Sequence, residues 1–111
     1  MARVDIRPMS VNEAWQGRRF KTKGYKSFEN ACLVMMPQMK MPKPPLEVRY
    51  IFGFSNKLAD IGNPEKLVTD ILCKKYNFND RDIYRMVIEK HITPKGKEFI
   101  DYDIRHYEAP H

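Results

Sequence analysis

The sequence contains little cysteine and no long apolar run. Its two cysteines, Cys32 and Cys73, belong to no CxxC motif and have no nearby histidine pair, so a structural zinc site has no ligand set and buried free thiols are expected. No segment approaches the roughly 18 apolar residues of a membrane span, and the first residues lack the apolar stretch of a signal peptide. We therefore expect a cytoplasmic protein without a membrane partner.

Length and composition favour one small folded domain over residues 1–111. A chain of 111 residues supports a single hydrophobic core but not a large internal pocket, which argues against a dinucleotide-fold enzyme and a nucleotide cofactor. Hydrophobic residues make up 42% of the chain and aromatic residues 12%, a composition typical of a globular domain rather than a disordered tail.

The positive charge is concentrated in the first half of the chain. The formal net charge is +6, and residues 1–50 hold ten Lys and Arg against four acids, whereas the remainder holds ten of each. Five cations lie close together without an intervening acid: Arg18, Arg19, Lys21, Lys23 and Lys26. Such a run can neutralise successive phosphates, and its interleaved Phe20 and Tyr25 could stack on an unpaired base. A solvated loop is an equally compatible interpretation.

Hydrophobic periodicity predicts two elements in the first forty residues. The alternation of Ala2, Val4 and Ile6 with charged residues indicates a short strand, followed by a basic loop over 9–26. A helix is expected from Ser27, acting as N-cap, because Phe28, Ala31, Cys32, Met35 and Met39 recur at intervals of three and four. Pro37 ends or kinks it, and the four prolines between 37 and 45 indicate a stiff connector.

The rest of the chain predicts a strand, a helix and two further strands. Apolar alternation over 46–54 is the clearest strand pattern. Asn63, Pro64 and Glu65 resemble a helix start with a side-chain cap, and the buried stripe of this helix is Leu67, Val68, Ile71 and Leu72. Residues 77–80 break the helix, and strands over 82–92 and 97–106 are joined by a hairpin at 93–96. The order β-α-β-α-β-β predicts an α+β fold with one mixed sheet and helices packed on it.

Three aspartates stand near the ends of these predicted elements. Asp60 follows the clearest strand, Asp70 is on the second helix, and Asp80 precedes the last two strands. Carboxylate oxygens are the ligands that Mg²⁺ prefers, and a metal beside a basic surface suits phosphodiester hydrolysis. Lys66, four residues before Asp70, is placed to pair with it or to stabilise charge at a phosphate. Without further information, caps, turns and surface charges explain the same three residues.

Segment 54–66, with its continuation through residues 70–72 and 78–84, resembles the RusA-type Holliday-junction resolvases of bacteria and their prophages. Asn12, Trp15, the basic Lys21-Thr22-Lys23 and the closing hairpin extend the similarity over most of the chain. The resemblance implies a small α+β homodimer that binds four-way DNA junctions and, with Mg²⁺ or Mn²⁺, makes paired symmetrical nicks in DNA recombination and repair. It further implies that Asp60 and Asp80 are metal-binding carboxylates and Lys66 an essential lysine. Asp70 matches a recurrent helical acid, a further candidate ligand, and Asn63 the motif asparagine.

One position departs from the pattern of this family. The motif places its second aspartate at position 62, where this sequence has Gly62. Glycine offers no side chain to a metal, and Glu65 would have to reach across the helix start to replace it. We therefore expect weakened or absent cleavage with DNA binding retained. The alternatives are a non-enzymatic, structure-selective DNA-binding or recombination accessory protein and a basic domain that binds an acidic protein.

Overall fold

A computed structural model describes residues 1–16 and 20–110, with the side chains of 12, 15, 16, 20 and 21 left out. The elements, in chain order, are β1 (Ala2–Val4), α1 (Val11–Ala14), β2 (Trp15–Gln16), β3 (Phe20–Lys21), α2 (Lys23–Met35), β4 (Leu46–Phe54), α3 (Glu65–Tyr76), a 3₁₀ turn (Asp80–Asp82), β5 (Ile83–Ile92) and β6 (Phe99–His106). The predicted β-α-β-α-β-β order is present, with α1 and the small β2–β3 pair added near the N-terminus.

The main sheet has four strands in the order β1-β6-β4-β5, and β4 is parallel to β5 and antiparallel to β6. The mixed sheet of the predicted α+β class is therefore confirmed. The predicted hairpin is wrong, because β4 lies between β5 and β6 and the loop at 93–98 passes over its end, where the Thr93 amide donates to the Phe54 carbonyl. Strands β6 and β4 are the two interior strands, and β4 is buried along most of its length.

Helices α2 and α3 pack on the same face of the sheet and enclose one core. This face takes Val48, Tyr50 and Phe52 from the middle of β4, and the helices contribute Phe28 and Cys32 of α2 and Val68, Ile71 and Leu72 of α3. The predicted stripe of α3 is confirmed, since Leu67, Val68, Ile71 and Leu72 are all buried.

The opposite face of the sheet carries ion pairs in place of a helix layer, within the part of the chain that the structure describes. Arg49 and Arg85 both bind the Glu47 carboxylate, at 2.6 and 3.2 Å. At the other edge the Arg3 guanidinium binds Asp101 at 2.7 Å. Each of these arginines is engaged by an acid, so this face does not attract phosphate strongly.

Helix α2 begins four residues before the predicted N-cap. The Thr22 hydroxyl accepts a hydrogen bond from the Tyr25 amide at 3.1 Å, so Thr22 and not Ser27 caps the helix. The burial of Tyr25, 1% exposed, fixes this first turn, and the helix ends at Met35, which leaves Met39 outside it. The predicted basic loop over 9–26 is therefore wrong in its described part, which contains α1, β2, β3 and the start of α2.

Some residues of the predicted basic segment and of the family resemblance lie outside the described part of the structure. Arg18 and Arg19 lie outside the described residues, and the side chains of Asn12, Trp15 and Lys21 are likewise not described.

Both cysteines are free thiols, as predicted: Cys32 is buried and Cys73 half-buried. Burial raises the pKa of Cys32 to about 12 and, with the neighbouring Asp80 and Asp70, that of Cys73 to about 11. None of the described helices has the length and apolar character needed to cross a membrane.

Gly53 in β4 should not tolerate alanine. A Cβ there would lie 2.4 Å from the Phe99 ring, which is held between this strand and the Arg3 guanidinium, 3.9 Å from the ring centroid. We expect Gly53→Ala to lower the free energy of unfolding by about 1 to 3 kcal/mol, because the ring must shift. Urea denaturation measures the change. Gly62→Ala is the matched control, since a Cβ at Gly62 meets nothing within 4 Å; equal losses in both variants would contradict the prediction.

Candidate functional site

The loop between β4 and α3 carries Asp60 and is held by hydrogen bonds to its backbone amides and carbonyls. The Asn56 side chain accepts from the Leu58 amide at 2.9 Å, and the Asp60 carbonyl accepts from the Asn63 amide at 3.2 Å. A lysine of β5 adds a further anchor: Lys90 Nζ donates to the carbonyl oxygens of Lys57 and Ala59, at 2.7 and 2.6 Å. The loop is thereby fixed to the edge strand of the sheet.

Asn63 is not the side-chain cap of α3. The cap position is Pro64, which forms no side-chain cap hydrogen bond, and the Asn63 amide group donates instead to Asp60 Oδ2 at 3.4 Å. The helix begins at Glu65, one residue after the proline, as the preset backbone of Pro64 favours. The effect is to tie the motif asparagine to the motif aspartate.

Lys66 brings two of the three predicted aspartates together. Its Nζ lies 3.4 Å from Asp70 Oδ1, one helical turn away, and 3.6 Å from Asp80 Oδ2, on the 3₁₀ turn before β5. Asp70, through its charge and its hydrogen bond, and Asp80 raise the pKa of Lys66 above its ordinary value. With 64% of its side chain exposed, Lys66 is accessible to an anionic ligand.

A shallow pocket of about 330 Å³ surrounds Lys66 and Asp80. Its other walls are Glu65 and Thr69 of α3 and the first residues of β5, Ile83 to Met86. The Glu65 carboxylate accepts from the Thr69 hydroxyl at 2.9 Å, and that hydroxyl also meets the buried Tyr50 hydroxyl at 2.7 Å. Glu65 is therefore held at the rim of this pocket by a hydrogen-bonded chain that reaches into the core.

Asp60 lines a different pocket. That pocket, of about 280 Å³, includes Arg7, Ser10 and Glu13 from the N-terminal segment and Asn56 from the loop. The separation follows from the topology: Asp60 follows the C-terminal end of β4, whereas Asp80 precedes the N-terminal end of the parallel strand β5, so the two strand ends are at opposite ends of the sheet.

The described side chains do not form a metal-ligand set. No group of three or more His, Cys, Asp or Glu residues within residues 1–16 and 20–110 could hold an ion, and Asp70 and Asp80 are engaged by Lys66. The divalent cation implied by the sequence resemblance therefore stays a prediction.

Gly62 lies at an open position of the Asp60 loop. It is exposed, its backbone is not in the left-handed region, and no atom lies within 4 Å of the Cβ that a side chain would add. A side chain can therefore begin at position 62 without its Cβ meeting any described residue.

The described part of the basic segment presents cations to solvent. Lys23 and Lys26, in the first turn of α2, are exposed, and neither forms an ion pair with another described residue. Lys21 lies on β3, paired in register with Trp15. Lys23 and Lys26 are therefore accessible to phosphate.

The sequence analysis did not predict the role of Lys90 or the series of hydrogen bonds that links Glu65, Thr69 and Tyr50. The spacing of Glu65 and Thr69, one helical turn apart, is visible in the sequence and predicts their contact. No local pattern connects Lys90 with Lys57 and Ala59, since that contact depends on the pairing of β5 with β4.

Comparison with protein-family models finds no family that matches this chain, and comparison with curated proteins finds no significant match.

Proposed function

We propose that this protein binds four-way DNA junctions in the manner of a RusA-type endonuclease and that Gly62 weakens its metal-dependent cleavage. The proposal rests on the resemblance of residues 54–66 and 78–84 to that family and on one observation of the structure. The lysine and the later aspartate that match the motif, Lys66 and Asp80, are 14 residues apart in the sequence, yet their charged groups lie 3.6 Å apart at an open pocket.

Lys66 is the residue that we propose to act on the scissile phosphate. Lys66 is cationic at neutral pH, because the ordinary pKa of a lysine already lies well above 7, and an ammonium at this position stabilises the negative charge that develops on a phosphoryl oxygen. Its carboxylate partners keep it in the pocket until a phosphate competes for it.

The basic segment is the surface that we propose to hold the DNA arms. Phosphate contacts give affinity and orientation without reading sequence, which suits recognition of a branched shape. On the face of the sheet away from the helices, arginines are engaged in ion pairs with Glu47 and Asp101, so the DNA is expected on the helix side.

A binding assay tests the junction preference. The protein should bind a mobile four-way junction at least about 10-fold more tightly than a linear duplex of the same length at equal salt, because salt sets the nonspecific background. Equal affinities for the two would contradict the proposal and favour the alternative of a basic domain that binds an acidic protein.

Removing four cations of the basic segment should flatten the salt dependence of junction binding. For the combined variant Arg18→Ala, Arg19→Ala, Lys21→Ala and Lys23→Ala, the slope of log K against log salt should fall by up to roughly 4 units, since each phosphate contact contributes about 0.9. The control variant removes the same charge from four exposed lysines elsewhere: Lys40, Lys43, Lys95 and Lys97. An equal change in both variants, or none in the first, would exclude the basic segment as the DNA contact.

One observation favours a second candidate, a structure-selective DNA-binding protein without catalysis. Each of the three aspartates already has a partner: Asn63 donates to Asp60, and Lys66 pairs with Asp70 and Asp80. In this alternative the carboxylates only stabilise the fold, and adding an acid at position 62 has no catalytic effect.

A further inference from the structure

The pocket of Lys66 and Asp80 holds more carboxylates than available cations. Glu65 and Asp80 line it, and Asp70 contacts the lysine from the next turn of α3. Two cations line it among the described residues, Lys66 and Arg85, and the Arg85 guanidinium is engaged by an acid of β4 at 3.2 Å. The Lys66 ammonium is therefore the positive charge that balances the carboxylates of this pocket.

The Lys66 ammonium contacts the same oxygens that a divalent cation would use. Its Nζ lies 3.4 Å from Asp70 Oδ1 and 3.6 Å from Asp80 Oδ2. A divalent cation binds carboxylate oxygens at about 2.0 to 2.6 Å, so at either residue its charge would come within a few ångströms of the ammonium. Like charges at this distance repel each other. The lysine and a divalent cation therefore compete for these two carboxylates.

The ion pairs of Lys66 are exposed and can be exchanged for other contacts. The side chain of Lys66 is 64% exposed, and those of Asp70 and Asp80 are 44% and 51% exposed. Ion pairs in contact with water contribute little to stability, and a phosphate offers the ammonium charged oxygens in their place. Once the ammonium moves to a phosphate, both carboxylates have lost their counter-ion.

We propose that Lys66 is an internal counter-ion that keeps a divalent cation away from Asp70 and Asp80 until a phosphate draws its ammonium away. The cation and the phosphate then strengthen each other's binding, because coupling between two ligands is reciprocal. Protein-bound Mg²⁺ typically has one or two carboxylates together with phosphate and water as ligands, so this arrangement requires no third acid. The use of the coupling in DNA cleavage rests on the proposed function, whereas the competition between Lys66 and a cation does not.

A Mn²⁺ titration of the protein without DNA tests the competition. Paramagnetic broadening of the amide NMR signals of Asp70 and Asp80 reports Mn²⁺ at their carboxylates. Lys66→Met should bind Mn²⁺ about 10-fold more tightly than the unsubstituted protein, because a positive charge a few ångströms away is removed. Lys66→Arg retains that charge and should bind within about 3-fold of the unsubstituted protein. Both variants should fold, since the Lys66 side chain is exposed.

Lys95→Met is the matched control for the loss of one positive charge. Lys95 is exposed and follows the C-terminal end of β5, whereas Asp80 precedes the N-terminal end of this ten-residue strand. Salt screens a charge at that separation, so Lys95→Met should change the Mn²⁺ affinity by less than about 2-fold.

The same titration with a short linear duplex bound tests the coupling independently of junction recognition. The DNA should raise the Mn²⁺ affinity of the unsubstituted protein at least about 10-fold more than that of Lys66→Met, because the variant has no counter-ion to displace. Asp80→Asn gives the background broadening from Mn²⁺ held by the DNA alone.

The outcomes separate this inference from the proposed function. Lys66→Met signals that broaden no more than those of the unsubstituted protein, or equal gains on adding DNA, overturn the counter-ion role of Lys66. A competition of the expected size in a protein without junction preference overturns only the proposed function. A junction preference without the competition overturns only this inference.

Discussion

Replacing Gly62 with aspartate should raise the rate of four-way-junction cleavage in Mg²⁺ or Mn²⁺ by on the order of 100-fold or more, since one missing electrostatic group at a reacting centre costs about that much. The resemblance places an acid at this position, and the Cβ that a side chain adds at Gly62 meets no atom within 4 Å. The new carboxylate also adds repulsion toward phosphate, so the affinity for the junction should fall slightly. Single-turnover cleavage and binding without metal measure the two effects separately.

Gly62→Asn is the matched control for this prediction. It has the shape of aspartate without the charge and should cleave no faster than the unsubstituted protein. A protein that already cuts as fast as its Gly62→Asp variant would show that the glycine is not a catalytic loss. If neither form cuts while both prefer junctions, the non-catalytic alternative is correct.

Truncating Phe52 should cost about 3 to 5 kcal/mol of unfolding free energy, the range for a large aromatic side chain removed from a core. Phe52 is fully buried in the central strand β4, and its ring stacks on that of Tyr50 with 5.1 Å between the centroids. Because small domains are stable by only about 5 to 15 kcal/mol, Phe52→Ala removes a large share of the total. Urea denaturation at 25 °C measures it as a lower midpoint.

Ile51→Ala is the control on the other face of the same strand. Ile51 is half-buried and faces away from the helices, so its truncation should cost less than half as much. Should Phe52→Ala fail to fold, Phe52→Leu supplies a measurable loss in its place. Equal costs at positions 51 and 52 would contradict the one-sided packing of the sheet.

Local patterns predicted most of the elements. Strand β4 and the stripe of α3 are confirmed because their periodicity reflects burial of one contiguous segment. The predicted start of α2 is wrong, because Ser27 and Thr22 are both acceptable N-cap residues and the burial of Tyr25 decides between them.

In the candidate site, too, only the contact between residues of one helix could be predicted from the sequence. The contact of Lys66 with Asp70 follows from a spacing of one helical turn. The contact of Lys66 with Asp80, the assignment of Asp60 to another pocket and the anchoring of its loop by Lys90 all join residues from different elements. No spacing rule covers such contacts.

The sequence alone determined the α+β class, the main helices and strands, the charge asymmetry and the motif with its glycine at position 62. Only the tertiary structure decided that β4 separates β5 from β6, which leaves β5 as an open edge, and that Lys66 rather than Asp60 is the neighbour of Asp80. The reason is physical: helix and strand formation depend on residues near one another in the chain, whereas sheet order depends on contacts between strands that are far apart in it. That choice is made by all the strands and helices together.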